Sequence, residues 1–208
     1  MNELDKQRIV ARYDERLARH PDDDTRALAV GADGRHAMAL QCLIDVGITS
    51  GHSVLDVGCG LGGLYVHMLE HGIRCQYTGY DINARLVERA RARHPDAVFE
   101  MRDILEEDYP QFDFIVSSSS FNLALEHEDN YAFIERMLRT MHSHAAQGVA
   151  VDLMTSYVDF KKPEAFYYEP ERVFSIAKSI TKRVTVRHDL PLFQFCVYLY
   201  PDFEGWGR

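Results

Sequence analysis

Apolar positions follow two different periods along this chain, and the change comes near Ser53. Before it, Ile9, Val10, Tyr13 and Leu17 fall at i, i+1, i+4 and i+8, one face of a helix that Pro21-Asp22-Asp23-Asp24 ends. Gly31 to Gly34 reads as a loop. Leu40, Leu43 and Ile44 point inward from a second helix over Arg35 to Val46, which Gly47 stops. After Ser53 the texture is different. Val54-Leu55-Asp56-Val57 is a short apolar run that ends in glycines, the pattern of a buried strand. A helix follows, with Leu61, Leu64, Tyr65, Met68 and Leu69 on one arc and Gly72 beyond its end. Cys75 to Ile82, Ala97 to Arg102, Phe112 to Ser117 and Gly148 to Leu153 read as four more strands. Between them, Asn83 caps a helix that packs through Leu86, Val87 and Ala90, and Pro95 ends it. Asp129 or Asn130 caps another, in which Ile134, Met137, Leu138 and Met141 repeat at i, i+3, i+4 and i+7. Pro170 suits the first turn of a last helix. Arg183 to Leu190 and Phe193 to Tyr200 then form two strands around Pro191, antiparallel because so few residues join them.

Strands alternating with helices and closing on a hairpin predict an α/β, Rossmann-like fold. The expected sheet is seven-stranded and mostly parallel with one antiparallel strand, helices on both faces and an N-terminal helical cover. No repeat or linker-like tract divides the chain. Residues 1–50 are therefore read as the cover and 51–208 as the core of a single unit.

Composition narrows the function. The chain has 208 residues, 46% hydrophobic and 26% charged, enough to bury a core without disulfides and unlike a disordered chain. Its net charge of −9 works against docking a polyanion. The one basic cluster, Arg85, Arg89, Arg91 and Arg93, reads as a solvated helix face. Cys42, Cys59, Cys75 and Cys196 include no C-x-x-C pair, so neither a structural zinc nor a disulfide framework is expected. His67 and His71 stand four apart with no third ligand in view, and no metal is expected there. The acidic N-terminus lacks the form of a signal peptide, and no apolar run reaches membrane-spanning length. A cytoplasmic protein with no membrane partner and no nucleic-acid partner is expected. Its oligomeric state is open.

The chemistry concentrates after the first core strand, where open parallel sheets bind ligands. Asp56-Val57-Gly58-Cys59-Gly60-Leu61-Gly62-Gly63 is a glycine loop that lets backbone approach a ligand closely. Gly58, Gly60 and Gly63 also satisfy G-x-G-x-x-G, so a dinucleotide site is an alternative. Asp56, two residues before the first glycine, would repel a pyrophosphate and welcome a cation. Asp81, 19 residues beyond Gly62, can accept both hydroxyls of an adenosine ribose, a device nicotinamide enzymes share.

Taken with Y-D-I at 80–82, R-D-I at 102–104, F-D-F-I-V-S-S-S-S-F-N at 112–122 and the closing hairpin, this loop resembles the class I S-adenosylmethionine-dependent methyltransferases. The resemblance covers about residues 53–200. It implies S-adenosyl-L-methionine as cofactor, with Asp56, Gly58, Gly60 and Gly62 along its methionine and ribose. It also implies Asp81 on the ribose hydroxyls, Ile82 over one adenine face, and Asp103 on the adenine amine with Ile104 beside it. Ser117 and Ser118 are placed near the sulfonium. The 117–122 segment departs from the N-P-P-Y motif of adenine-modifying DNA methyltransferases, and the chain lacks the Pro-Cys of cytosine enzymes.

A small-molecule acceptor methylated on O, N or S is the expected substrate. The candidates near it are Tyr13 in the first helix, Asn122 after the fourth strand, and His127 as a base, with His188 as a more distant one. The aromatic connection from Thr155 to Glu169, with Tyr157, Phe160, Phe166, Tyr167 and Tyr168, reads as a lid. Two other functions stay open at this point: a nicotinamide-dependent oxidoreductase and a non-catalytic nucleoside-binding protein of the same fold.

Overall fold

The computed structural model describes residues 1–30, 34–191 and 193–203. Three helices precede the first strand: α1 (Glu3–Arg19), α2 (Asp24–Leu28) and α3 (Arg35–Ile44). The core then runs β1 (Ser53–Val57), α4 (Gly63–Glu70), β2 (Gln76–Asp81), α5 (Ala84–Arg93), β3 (Val98–Met101), β4 (Phe112–Ser117), α6 (Asn130–His144), β5 (Ala145–Met154), α7 (Pro170–Ile180), β6 (Arg183–Arg187) and β7 (Gln194–Tyr200). The strands form one seven-stranded sheet in the order β3-β2-β1-β4-β5-β7-β6. β7 runs antiparallel to both β5 and β6, and every other pairing is parallel. This is the expected α/β sheet with a single reversed strand.

Alternation along the central strands splits the core in two. Leu55, Ile115, Val149, Val151 and Leu153 face α6 and α7, where they meet Ile134, Leu138, Met141 and Val173. Val54, Phe114, Val116 and Ala150 face the other side, with Leu40 and Leu43 of α3, Leu64 and Met68 of α4, and Val87 and Ala90 of α5. The second expected helix therefore packs on the sheet. What overlies the glycine loop is α1 with the short α2, joined through Leu17 and Ala27 to Leu61 and Leu86.

Several boundaries differ from the sequence reading, each for a local reason. α1 begins at Glu3, six residues before its apolar stripe, because Asn2 caps it by accepting the Leu4 N–H at 2.9 Å. α2 was not expected among the acids of 22–24; Asp23 caps it by accepting the Arg26 N–H at 3.0 Å. The loop expected at 31–34 lies outside the described residues except for Gly34, whose φ of 80° lets it cap α3. Leu61 lies before α4, not within it. β5 follows α6 with no intervening loop, and β6 stops at Arg187.

Gly79 shows how tightly the loop sits on β2. A Cβ there would lie 2.8 Å from both Cβ and Sγ of Cys59 and 2.9 Å from the Phe99 ring. Gly79→Ala is expected to destabilise the fold by about 1–3 kcal/mol, the usual cost of overpacking a core. The check is the urea midpoint at constant slope. A midpoint equal to wild type would mean that the loop has room to spare.

Candidate functional site

The strand order reverses between β1 and β4, so the loops after these two strands diverge and leave a crevice at their carboxyl ends. A cavity of about 670 Å³ occupies it, walled by the glycine loop, the ends of β2, β4 and β5, the start of β7, and α1 with α2 above. Gly58, Gly60 and Gly62 have φ of 75°, 55° and 84°, values that favour glycine. The loop is pinned to β2: the Gly58 and Cys59 N–H groups donate to the Tyr80 carbonyl at 2.7 and 3.0 Å. Gly60 N–H donates to Asp81 Oδ2 at 3.0 Å.

The acids at the strand ends are buried, and each is held differently. Asp56 is 3% exposed. Its Oδ2 accepts the Tyr77 hydroxyl at 2.8 Å, while its Oδ1 has no partner. Burial pushes its pKa up to about 7, against the Tyr77 hydrogen bond and with help from the Asp81 and Asp152 carboxylates. An unpartnered carboxylate oxygen beside a cavity is suited to a cation. Asp81 accepts Asn83 N–H at 2.9 Å on Oδ1 and Gly60 N–H on Oδ2. Burial raises its pKa too, opposed by the backbone N–H groups of Asn83, Gly60 and Ile82. Asp103 pairs with Lys6 Nζ at 3.0 Å and accepts Leu105 N–H at 3.0 Å.

Most of the residues singled out in the sequence meet at this cavity. Asp56, Gly58, Gly60, Asp81, Ile82, Asp103, Ile104, Ser118, Tyr13 and Asn122 all line it. Three do not. Gly62 turns the other way: a Cβ there would meet His94 and Phe99 at 3.0 Å, so its part is to start α4 against β3. Ser117 is fully buried and donates to the Val57 carbonyl at 2.7 Å, tying β4 to β1 below the floor. His127 is exposed, and its backbone N–H donates to Asp5 Oδ2 at 3.0 Å. It follows the β4 loop in sequence, but Asp5 draws that stretch out under α1 and away from the cavity. His188 is exposed too, beside Tyr157.

Asn122 and Tyr13 have further work. Asn122 Oδ1 accepts Met154 N–H at 2.8 Å and its carbonyl accepts Phe166 N–H at 2.9 Å, so it braces the end of β5. The Tyr13 phenol is pushed up by burial and then by Asp81. Of the aromatic connection, Phe160 and Tyr167 line the cavity, Tyr168 is wholly buried with its hydroxyl on the Phe121 carbonyl at 2.9 Å, and Tyr157 points outward to Glu171.

α1 is fastened over the cavity by polar contacts. Asp5, fully buried, accepts the N–H groups of Glu126 and His127 and pairs with Arg8 at 3.3 Å. Lys6 holds Asp103, and Asn83 Nδ2 donates to Asp14 Oδ1 at 2.9 Å. The sequence reading missed this set. It also missed Asp152 and Gln194, although Asp152 interrupts an apolar strand at its carboxyl end much as Asp56 does.

Comparison with known proteins adds the following. A family model described as "Methyltransferase domain" matches residues 54–162. A Mycobacterium tuberculosis protein described as a methyltransferase is 30% identical over 155 residues, which is 70% of this chain and 90% of that one. Among solved structures, a complex of DhpI with S-adenosylhomocysteine superposes with a TM-score of 0.70 at 15% identity, covering 94% of this chain and 96% of that one. Magnesium protoporphyrin IX methyltransferase from Synechocystis PCC 6803, with bound S-adenosylmethionine, gives 0.65 at 16% identity, covering 93% and 95%. At these identities the structural likeness concerns the fold.

Proposed function

We propose that this chain, which belongs to the methyltransferase-domain family and takes S-adenosylmethionine as its methyl donor, passes the methyl group to an O, N or S atom of a small molecule. The observation that carries this reading is the helical cover over the cavity. The cavity lies beneath α1 and α2 and has room for a nucleoside with a modest acceptor beside it. A strand of nucleic acid would have to enter past a chain of net charge −9. The one arginine cluster is already engaged: Arg89 donates to the Pro21 carbonyl, Arg93 pairs with Asp24, and Arg91 donates to the Phe99 carbonyl at 2.7 Å.

The residues present fit the donor. In this reading Asp81 takes the ribose hydroxyls on its remaining lone pairs, Ile82 and Ile104 sandwich the adenine, and Asp103 accepts its amine. Gly58 and Gly60 give backbone access to the methionine part, and Asp56 Oδ1 faces its ammonium group. Gly62 and Ser117 shape the loop and floor without contact, and His127 has no part. The bound donor supplies a methyl carbon on a cationic sulfur that leaves neutral, so no acid is needed at the leaving group. The chain's task is to hold the acceptor about 3 Å from that carbon and to keep water out. Phe121, Tyr13 and Tyr167 do the excluding.

The test is incubation with methyl-labelled donor and three separate fractions of a cell extract: small metabolites, total nucleic acid and protein. Label in the metabolite fraction is expected. Label confined to nucleic acid or to protein would refute a small-molecule acceptor while leaving methyl transfer intact.

A further inference from the structure

Beside the cavity, among the ends of β4 and β5 and the start of β7, a carboxylate is buried without a cationic partner among the described residues. Asp152 interrupts the apolar run of β5 two residues before the strand ends and is 0% exposed. No lysine or arginine among the described residues pairs with it. Its partners are instead cavity residues. Ser119 donates to it through both its backbone N–H and, at 3.3 Å, its hydroxyl. Ser118 Oγ lies at 3.5 Å and Gln194 Nε2 at 3.2 Å. Gln194 Nε2 also donates to Ser119 Oγ at 2.9 Å. Ser119 has a φ of 57°, rare for a residue with a side chain. Such strain persists only where surrounding contacts impose it, and it gathers at functional sites.

The orientation of the serine follows from its neighbours. The amide of Gln194 can only donate here, because turning its oxygen toward Asp152 would oppose two negative groups. Ser119 Oγ therefore accepts from Gln194, and its own hydrogen is committed to Asp152 Oδ2. One lone pair of Oγ is left, on an atom that borders the cavity. A group so placed receives a hydrogen bond and gives none.

We propose that Ser119, positioned and charged by Asp152, receives the proton that the acceptor must shed, so that the acceptor presents an O–H or N–H to the site. The inference rests on the methyl-transfer reading above. As the acceptor atom shares its electron pair with the incoming methyl carbon, its proton passes to Ser119 Oγ and the serine's own proton passes to Asp152 Oδ2. The serine is unchanged, the carboxylate ends neutral, and the donor's sulfur keeps the electron pair of the broken bond. Ser119 is the group in contact; Asp152 acts through it.

The carboxylate is suited to this exchange. Burial raises its pKa to about 6, against the hydrogen bonds from Ser119 and Ser118, so it is ionised at neutral pH yet only weakly acidic. The titratable groups nearest it are the Asp56 carboxyl on β1, which it raises further, and the Cys196 thiol paired opposite on β7. Behind Cys196 stand the Cys42 thiol of α3 and Arg187 of β6.

Two measurements test the proposal, on wild type and on Asp152→Asn and Ser119→Ala, with folding checked by melting curves. The first is transfer of labelled methyl to the metabolite fraction, followed as a function of pH. Loss on the order of 100-fold is expected for Asp152→Asn, the range of a lost proton acceptor, with S-adenosylhomocysteine affinity within threefold of wild type. With donor saturating at every pH, so that Asp56 does not set the rate through binding, the fall in wild-type rate below about pH 6 should disappear in the variant. The second needs no acceptor: the carboxyl carbon signal of Asp152, assigned by its absence in Asp152→Asn, is titrated by NMR. A midpoint well above the ordinary carboxylate value, rising further in Ser119→Ala, is expected. Wild-type transfer by Asp152→Asn would overturn the proposal, and so would an ordinary midpoint. Absence of transfer by wild type to any fraction would instead overturn the methyl-transfer reading, and the titration would still decide the state of Asp152.

Discussion

Asp81→Ala is expected to weaken binding of S-adenosylhomocysteine by about 30- to 150-fold, the equivalent of the 2–3 kcal/mol carried by hydrogen bonds to a charged group. The substitution removes an acceptor that serves two masters. Its oxygens take the Gly60 and Asn83 N–H groups, which orient the glycine loop and the start of α5, and the same oxygens border the cavity. Deleting the carboxylate strands two buried donors as well as the ribose. A lowered melting temperature should therefore accompany the lost affinity. Asp81→Asn separates the two effects: one amide oxygen still accepts a backbone N–H, so most of the stability should return while most of the affinity does not. Calorimetric titration beside thermal unfolding decides it. An Asp81→Ala protein that binds within twofold of wild type would exclude Asp81 from the ligand.

The second large effect is a dependence on pH centred on Asp56. In the folded protein its pKa lies at about 7, while an unfolded chain returns it to the ordinary value near 4. A raised acid is favourable to folding in its neutral form. The contribution is therefore complete below about pH 4 and is lost as pH rises toward and through 7. Between about 4 unfolded and about 7 folded, the loss is on the order of 4 kcal/mol at most. Asp81 and Asp152 are raised in the same direction and steepen the decline. Asp5 and Asp113 are lowered; they lose stability only as pH falls through the acid range, outside this window. Unfolding of the ligand-free protein between pH 5 and 8.5 should show falling stability with pH, and Asp56→Asn should flatten the curve. Binding of S-adenosylmethionine, which brings an ammonium and a sulfonium, should favour the ionised carboxylate and release a proton near pH 6.5. Calorimetry in buffers of different ionisation heat measures that proton. Parallel stability curves for wild type and Asp56→Asn, with no proton released, would place the Asp56 carboxyl in ordinary solvation.

What the sequence made legible follows the range over which each pattern acts. The strands of the sheet, the reversed β7 and the helices between them are written in local periodicity and in the brevity of the last connection. Asp56 and Asp81 were legible because each stands near the carboxyl end of a strand, where a charge must face a loop or a ligand, and Asp103 through the family resemblance. His127 failed the same kind of reasoning, since proximity in sequence to a site loop says nothing about the direction the chain takes next. That direction is set by Asp5, 122 residues earlier, whose carboxylate gathers the backbone of that turn. Asp152 shows the opposite error. It sat in a strand that read as core, and its partners Ser119 and Gln194 come from the loop after β4 and the start of β7, 33 and 42 residues away. α2 carries no stripe long enough to read, and its cap was taken for a stop.

The fastening of α1 bears on how the protein turns over. Lys6 grips Asp103, and Asp14 grips Asn83, whose own N–H is held by Asp81. Asn83 and Asp103, to which the helix is fastened, thus line the cavity where the proposal sets the nucleoside. In the proposed site, release of the spent nucleoside would then involve opening of these contacts. The Lys6 side chain remains 19% exposed, within reach of dissolved ions that screen such a pair. Added salt is then expected to speed exchange of bound S-adenosylhomocysteine, a rise that its release rate followed against ionic strength would show.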